Sequence, residues 1–122
     1  MASKPPPPSY YTPLPADLTP EEQNVIQYHR TNLDNNTFIT EPDGRPTTFR
    51  GAVMGVDNGS MLFPLYRDGV VLEPPTAQRL AVRSGVKFPV YKDDETALAR
   101  EQFLHEIMKA DSDAYMKQKP KR

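Results

Sequence analysis

The sequence predicts an α+β fold, a small antiparallel sheet built on a β-hairpin at about residues 47–66, packed by three helices and preceded by an extended proline-rich arm. Three observations carry this. Two apolar runs flank Asn58-Gly59, a dipeptide suited to the positive φ that a type I′ hairpin turn requires at both central residues. Helix starts are written at Thr19-Pro20-Glu21-Glu22 and at Asp93-Asp94, each ahead of apolar residues at helical spacing. Seven of the fourteen prolines fall within the first twenty residues, where their fixed φ and missing N–H favour polyproline II. The division that follows is an arm at 1–18, a single α+β domain at 19–116 and a basic tail at 117–122.

In the arm, Pro5, Pro6, Pro7 and Pro8 are followed by the apolar groups Tyr10, Tyr11 and Leu14. Stiff segments of this kind act as spacers, or lie along another subunit. Thr19 and Glu22 form a capping box with Pro20 at the first helical position, which predicts a helix from Pro20 to about Asn32. Val25, Ile26, His29 and Leu33 give it a narrow apolar stripe, on which His29 reads as a boundary packing residue. Asp34-Asn35-Asn36 and Glu41-Pro42-Asp43-Gly44 are turn chemistry bracketing Thr37-Phe38-Ile39-Thr40, read as a lone extended stretch.

With Asn58 and Gly59 as the loop, hairpin partners sum to 117: Val56 faces Met61, Met54 faces Phe63 and Ala52 faces Leu65. Both faces of such a hairpin are largely apolar, so both need covers. In that register Pro64 falls opposite Val53 at a hydrogen-bonding position, and regular pairing should stop or bulge there. Beyond the Arg67-Asp68-Gly69 turn, Val70-Val71-Leu72 either adds a third strand or lies across the core. A short helix is expected from Pro75, with Ala77, Leu80, Ala81 and Ser84 on one face and Gly85 as its C′ residue. Residues 86–91 read as an extended connector. The last helix, capped by Asp93 or Asp94, should run to about Lys117 with Ala97, Leu104, Ile107, Met108 and Tyr115 on one stripe and Phe103 at its edge. That is long for so small a body, so its distal half is expected to project or to meet a partner.

Composition narrows the function. A net charge of −1 from 15 basic and 16 acidic residues gives no general attraction to nucleic acid or to an anionic membrane. Cysteine is absent, which removes disulfides, thiolate metal sites and thiol catalysis together. No apolar run is long enough to span a bilayer, and the start lacks a signal-peptide core. His105-Glu106 is half of a zincin motif whose second histidine position holds Lys109. Asp93-Asp94-Glu95 reads as helix capping and Asp111-Ser112-Asp113 as a solvated cluster. With only two histidines and glycines scattered singly, neither a triad nor a phosphate-binding loop is written here. A non-enzyme without metal or cofactor is the expectation.

The Pro42-Asp43-Gly44 turn followed by Thr47-Thr48-Phe49, the glycine-bearing hairpin ending Leu62-Phe63-Pro64-Leu65, Asp68-Gly69, Ser84-Gly85 with Phe88-Pro89, and Leu104-His105-Glu106 together resemble a small domain recurrent in tailed-bacteriophage virion-associated proteins. The resemblance runs from about residue 28 to 115, roughly 70% of the 122 residues, and it rests on turns and core positions that mark a scaffold rather than an activity. It implies a virion component made in the bacterial host cytoplasm, a non-catalytic structural protein of the capsid, neck or tail. Its partners would be other virion proteins in several copies of a symmetric assembly, without a membrane or a specific nucleic acid. The expected partner-binding residues are Pro5, Pro6, Pro7, Pro8, Tyr10, Tyr11 and Leu14 in the arm and Phe103, Ile107 and Tyr115 on the last helix. The alternatives are an auxiliary module of a phage ejection or cell-wall-degrading complex, and a host-directed regulator acting through its polyproline segment.

Overall fold

The computed structural model describes residues 11, 13–67 and 69–118. Pro5 to Pro8, Tyr10, Asp68 of the expected turn and the last four residues of the tail lie outside them. The first helix, α1 (Pro20–Asn35), begins as its sequence demands: the Thr19 hydroxyl accepts from the Glu22 N–H at 3.1 Å, and Glu22 Oε1 accepts from the Thr19 N–H at 3.1 Å. It runs three residues beyond the expected Asn32, because Asn36, at φ 56° and ψ 32°, supplies the left-handed cap. Val25, Ile26, His29 and Leu33 are buried, and so is Glu22.

Seven strands follow in chain order with the two further helices, giving an α+β fold among the described residues. Strands β1 (Ile39–Thr40) and β2 (Pro46–Thr47) pair antiparallel around the Glu41–Arg45 turn, so the 37–40 stretch is one arm of a small hairpin rather than a lone segment. Thr47 belongs to that hairpin, and the main one is narrower than 47–66: β3 (Gly51–Val56) against β4 (Gly59–Pro64).

The register of β3 and β4 corrects the expected one by two residues. Partners sum to 115, with Val56 opposite Gly59 and Ala52 opposite Phe63, so the loop is Asp57-Asn58. Neither loop residue has positive φ; among described non-glycine residues only Asn36 does. A two-residue slip preserves which side chains share a face, whereas a one-residue slip would have inverted both faces. Gly59 serves a neighbour instead of the turn. It has φ +149°, and a Cβ there would sit 2.0 Å from the Tyr91 carbonyl oxygen.

The same slip resolves the proline problem. Leu65 donates to Arg50 O at 2.6 Å across the hairpin, while Leu62 donates away from β3, to Pro89 O at 2.9 Å. Backbone direction alternates along a strand, so Pro64 shares the orientation of Leu62 and owes β3 no N–H. β4 ends at Pro64.

The third strand of this sheet is β7 (Val90–Tyr91), in the order β3-β4-β7; the connector expected at 86–91 therefore contributes a strand. Val70 and Val71 do not add to the sheet. They form β6 (Val70–Val71), paired only with β5 (Tyr66–Arg67) in a separate ladder.

The two helical covers are α2 (Pro74–Arg83), with Ser84 at its C-cap and Gly85 beyond at φ +79°, and α3 (Asp94–Gln118). Asp93 caps α3, accepting from the Thr96 N–H at 2.7 Å, which leaves Asp94 to accept from the Ser60 hydroxyl at 2.5 Å. Ser60 shares a face with Leu62 and Gly51, so that face looks toward α3. The opposite face, carrying Met61, meets the α2 side, where Met61 lines a groove with Val82 and Phe88. Leu62, Phe63, Ile26, Leu104 and Val25 sit at the centre of the shared core, each at most 1% exposed.

Candidate functional site

The polar chemistry of the molecule is concentrated where α1 packs on α3. Glu22 falls on the buried stripe of α1, one turn before Ile26, and Asp111 falls on the buried stripe of α3, one turn after Ile107. A carboxylate in such a place must find donors or lose its charge. Both find an arginine on the other helix.

At the first crossing the Arg100 guanidinium binds Glu22 in bidentate fashion, Nε to Oε2 at 2.7 Å and Nη2 to Oε1 at 2.9 Å. The Tyr91 hydroxyl donates to Oε2 at 2.7 Å and the Thr19 N–H to Oε1. Burial alone would raise the pKa of this carboxyl, but the donors from Arg100, Tyr91 and Thr19 outweigh it and hold the value at about 2. Burial, and then the hydrogen bond to Glu22 and its charge, push the Tyr91 phenol up.

At the second crossing Asp111, fully buried, takes Arg30 Nε at 2.8 Å and Nη2 at 3.3 Å. His29 Nε2 stands 3.3 Å from Asp111 Oδ2 without the alignment of a hydrogen bond, and it has no hydrogen-bond partner among the described residues. His29 Nδ1 meets the Thr48 hydroxyl, and Asn32 Nδ2 donates to Thr48 O at 2.7 Å. Burial lowers the His29 pKa, against the opposing pull of Asp111. On the outer side, Arg30 lies over the Tyr11 ring, 4.7 Å from its centroid, and the Tyr11 hydroxyl donates to Asp34 and to Arg30 O. A line of groups therefore runs from the surface inward: Tyr11, Arg30, Asp111, His29, Thr48.

The order of the two pairs sets the helix orientation. Glu22 meets Arg100, Arg30 meets Asp111 and Asn36 meets Tyr115, whose hydroxyl donates to Asn36 Oδ1 at 2.8 Å, so α1 and α3 run in the same direction. Reversing one helix would set acid against acid and arginine against arginine. The hydroxyl, imidazole and carboxylate of Thr48, His29 and Asp111 share the group order of a nucleophilic triad, but Thr48 is only 4% exposed and the other two are sealed. What this arrangement does is fix α1, α3 and the strand region at Thr48 to one another.

No family model, curated protein or solved structure matches the chain. Among the described residues, no group of three or more His, Asp or Glu side chains is placed to hold a metal ion, and no helix is long and apolar enough to cross a membrane.

Of the expected partner-binding residues, Tyr11 is anchored on α1 of its own chain and Leu14 is exposed. Leu18, placed with the arm by the sequence, is buried in the core. Ile107, expected as a contact for a partner, is also buried there. Tyr115 packs edge-to-face on Phe38, 5.8 Å between centroids, so the distal half of α3 lies on its own body instead of projecting. Phe103 remains accessible beneath the Arg100 guanidinium. Asp111, read as solvated, is the most deeply paired acid on α3. Its position one turn from Ile107 on the apolar stripe was the signal available for it.

Proposed function

We propose that this chain is a non-catalytic structural component of a tailed-bacteriophage virion, in the capsid, neck or tail, and that it binds neighbouring subunits through the segment N-terminal to Tyr11. The resemblance of its turns and hairpin to the phage domain supports the setting. The observation that supports the mode of action is the clamp on Tyr11. Its ring lies under Arg30 and its hydroxyl bonds to Asp34, so the chain is held on α1 at Tyr11. A proline-rich segment loses less conformational freedom on docking than an ordinary one, which makes it an economical tether. The distal half of α3 drops out of this role because Phe38 and Asn36 already occupy Tyr115.

Deletion of residues 1–10, which spares Tyr11 and Leu18, should leave the thermal unfolding of the body unchanged and abolish incorporation into particles. Mass spectrometry of purified particles supplies the copy number. Many copies of the full chain and none of the truncated one is the expected result, and normal incorporation of the truncated chain would refute the tether. A few copies per particle, recovered with lytic enzymes, would move the protein to the ejection complex.

A further inference from the structure

The outer strand of the main sheet carries an edge that no described residue pairs with. In the order β3-β4-β7, β3 is terminal. Its even-numbered residues face β4 in the hydrogen-bonding sense, as the Leu65 bond to Arg50 O shows, so Gly51, Val53 and Gly55 turn their N–H and C=O groups outward. No described residue bonds to these groups. The two edges of the sheet differ in how they are guarded. β7 is two residues long, with Pro89 before it and Lys92 after it, features that discourage pairing. β3 offers six residues with neither a charge nor a proline.

We propose that β3 pairs antiparallel with β3 of a second copy of this chain, joining the two sheets into one of six strands. With the two-fold axis at Val53, each Gly51 faces Gly55 of the second copy, and three outward residues on each strand exchange N–H···O=C bonds. The flanks select this partner and direction. Arg50 precedes the strand and Asp57 follows it, both are exposed, and no ion pair among the described residues engages either. An antiparallel pair brings Arg50 to within one residue of Asp57 of the second copy at both ends, whereas a parallel pair would stack like charge on like. The proline-rich arm is a poor competitor for the edge, because Pro5 to Pro8 have no N–H to donate. The pairing rests on the fold and is independent of the virion reading.

Sedimentation velocity on the full chain tests it. The wild type should populate a species of twice the monomer mass as concentration rises. Gly55→Pro removes an outward N–H while leaving the bonds to β4 intact, so it should be monomeric with an unchanged circular dichroism spectrum. Arg50→Asp should weaken the dimer by about tenfold, two exposed attractive pairs having become repulsive. Adding Asp57→Arg to that variant should restore it. A wild type that stays monomeric up to millimolar concentration overturns the proposal. So does a dimer that neither Gly55→Pro nor Arg50→Asp weakens.

Discussion

The Glu22 and Asp111 crossings use the same chemistry, a buried carboxylate held by an arginine from the facing helix, and they differ in how completely the donors are matched. Around Glu22 four N–H or O–H groups converge on two oxygens. Around Asp111 the arginine is shared with an aromatic ring at the surface, and the nearby imidazole lacks an aligned partner at Nε2. The first site is a closed staple. At the second, one nitrogen has no aligned partner among the described residues, and it is the site connected to the arm. The acid sensitivities differ accordingly. The Glu22 pKa is depressed from 4.5 to about 2, so its contribution is full above 4.5 and is lost as pH falls toward 2. The His29 pKa is depressed below 6.5, so the folded state favours the neutral ring, and that preference costs stability as pH falls below 6.5. Acid should loosen the Asp111 site first.

The largest break in this comparison is Arg100→Leu. It leaves the Glu22 carboxylate buried without its cation and should cost about 3–5 kcal/mol in urea denaturation at neutral pH. Replacing both residues, Glu22→Met with Arg100→Leu, should recover a substantial part, since no charge is then stranded. A double variant no more stable than the single one would mean that capping by Glu22, and not ion pairing, dominates the site.

Arg30→Leu should cost less, about 2–3 kcal/mol near pH 8, and the cost should shrink toward pH 6. The reason is specific to this site. With Arg30 gone, His29 no longer feels a neighbouring positive charge, and a proton on Nε2 can take over beside Asp111 Oδ2, 3.3 Å away. The pH dependence of the penalty should vanish when His29→Gln is added. A penalty equal at both pH values would show that the ring cannot substitute for the arginine.

These sites also show where the sequence was legible. Local signals read true: the Thr19-Glu22 box, Gly85 after α2, and the stripe of α3 from Ala97 to Met108 each depend on residues within a few turns of one another. The hairpin was found at the right place but in the wrong register. Gly59 looks like a turn residue from its neighbour Asn58, yet its need for glycine comes from the Tyr91 carbonyl, contributed by a strand that joins later in the chain. That strand was itself hidden, because a two-residue pairing against Ser60 and Met61 leaves no alternation to detect. Asp111 was misread for a related reason. A helix wheel shows the face a carboxylate occupies but not the Arg30 that pairs with it, 81 residues earlier in the chain. What escaped was the long-range complement of correctly placed residues.

The smallest effect is the one that tells most about the arm. Tyr11→Phe keeps the ring under Arg30 and removes only the hydroxyl bonds to Asp34 and to Arg30 O. Being at the surface, this should cost about 0.5–1 kcal/mol locally, and it should leave the urea midpoint almost where it was. The loss should show instead as local opening: proteolysis within residues 11–17 should quicken by about two- to fivefold, in proportion to the population of the released segment. If the clamp belonged to the cooperative core, Tyr11→Phe would lower the midpoint and speed cleavage throughout the chain together. If it is the outer end of the Arg30 line, only the cleavage near Tyr11 changes, and Arg30→Leu should reproduce that change in addition to its larger effect on the core. The two variants compared on one gel thus separate a handle on α1 from a piece of the α1–α3 staple.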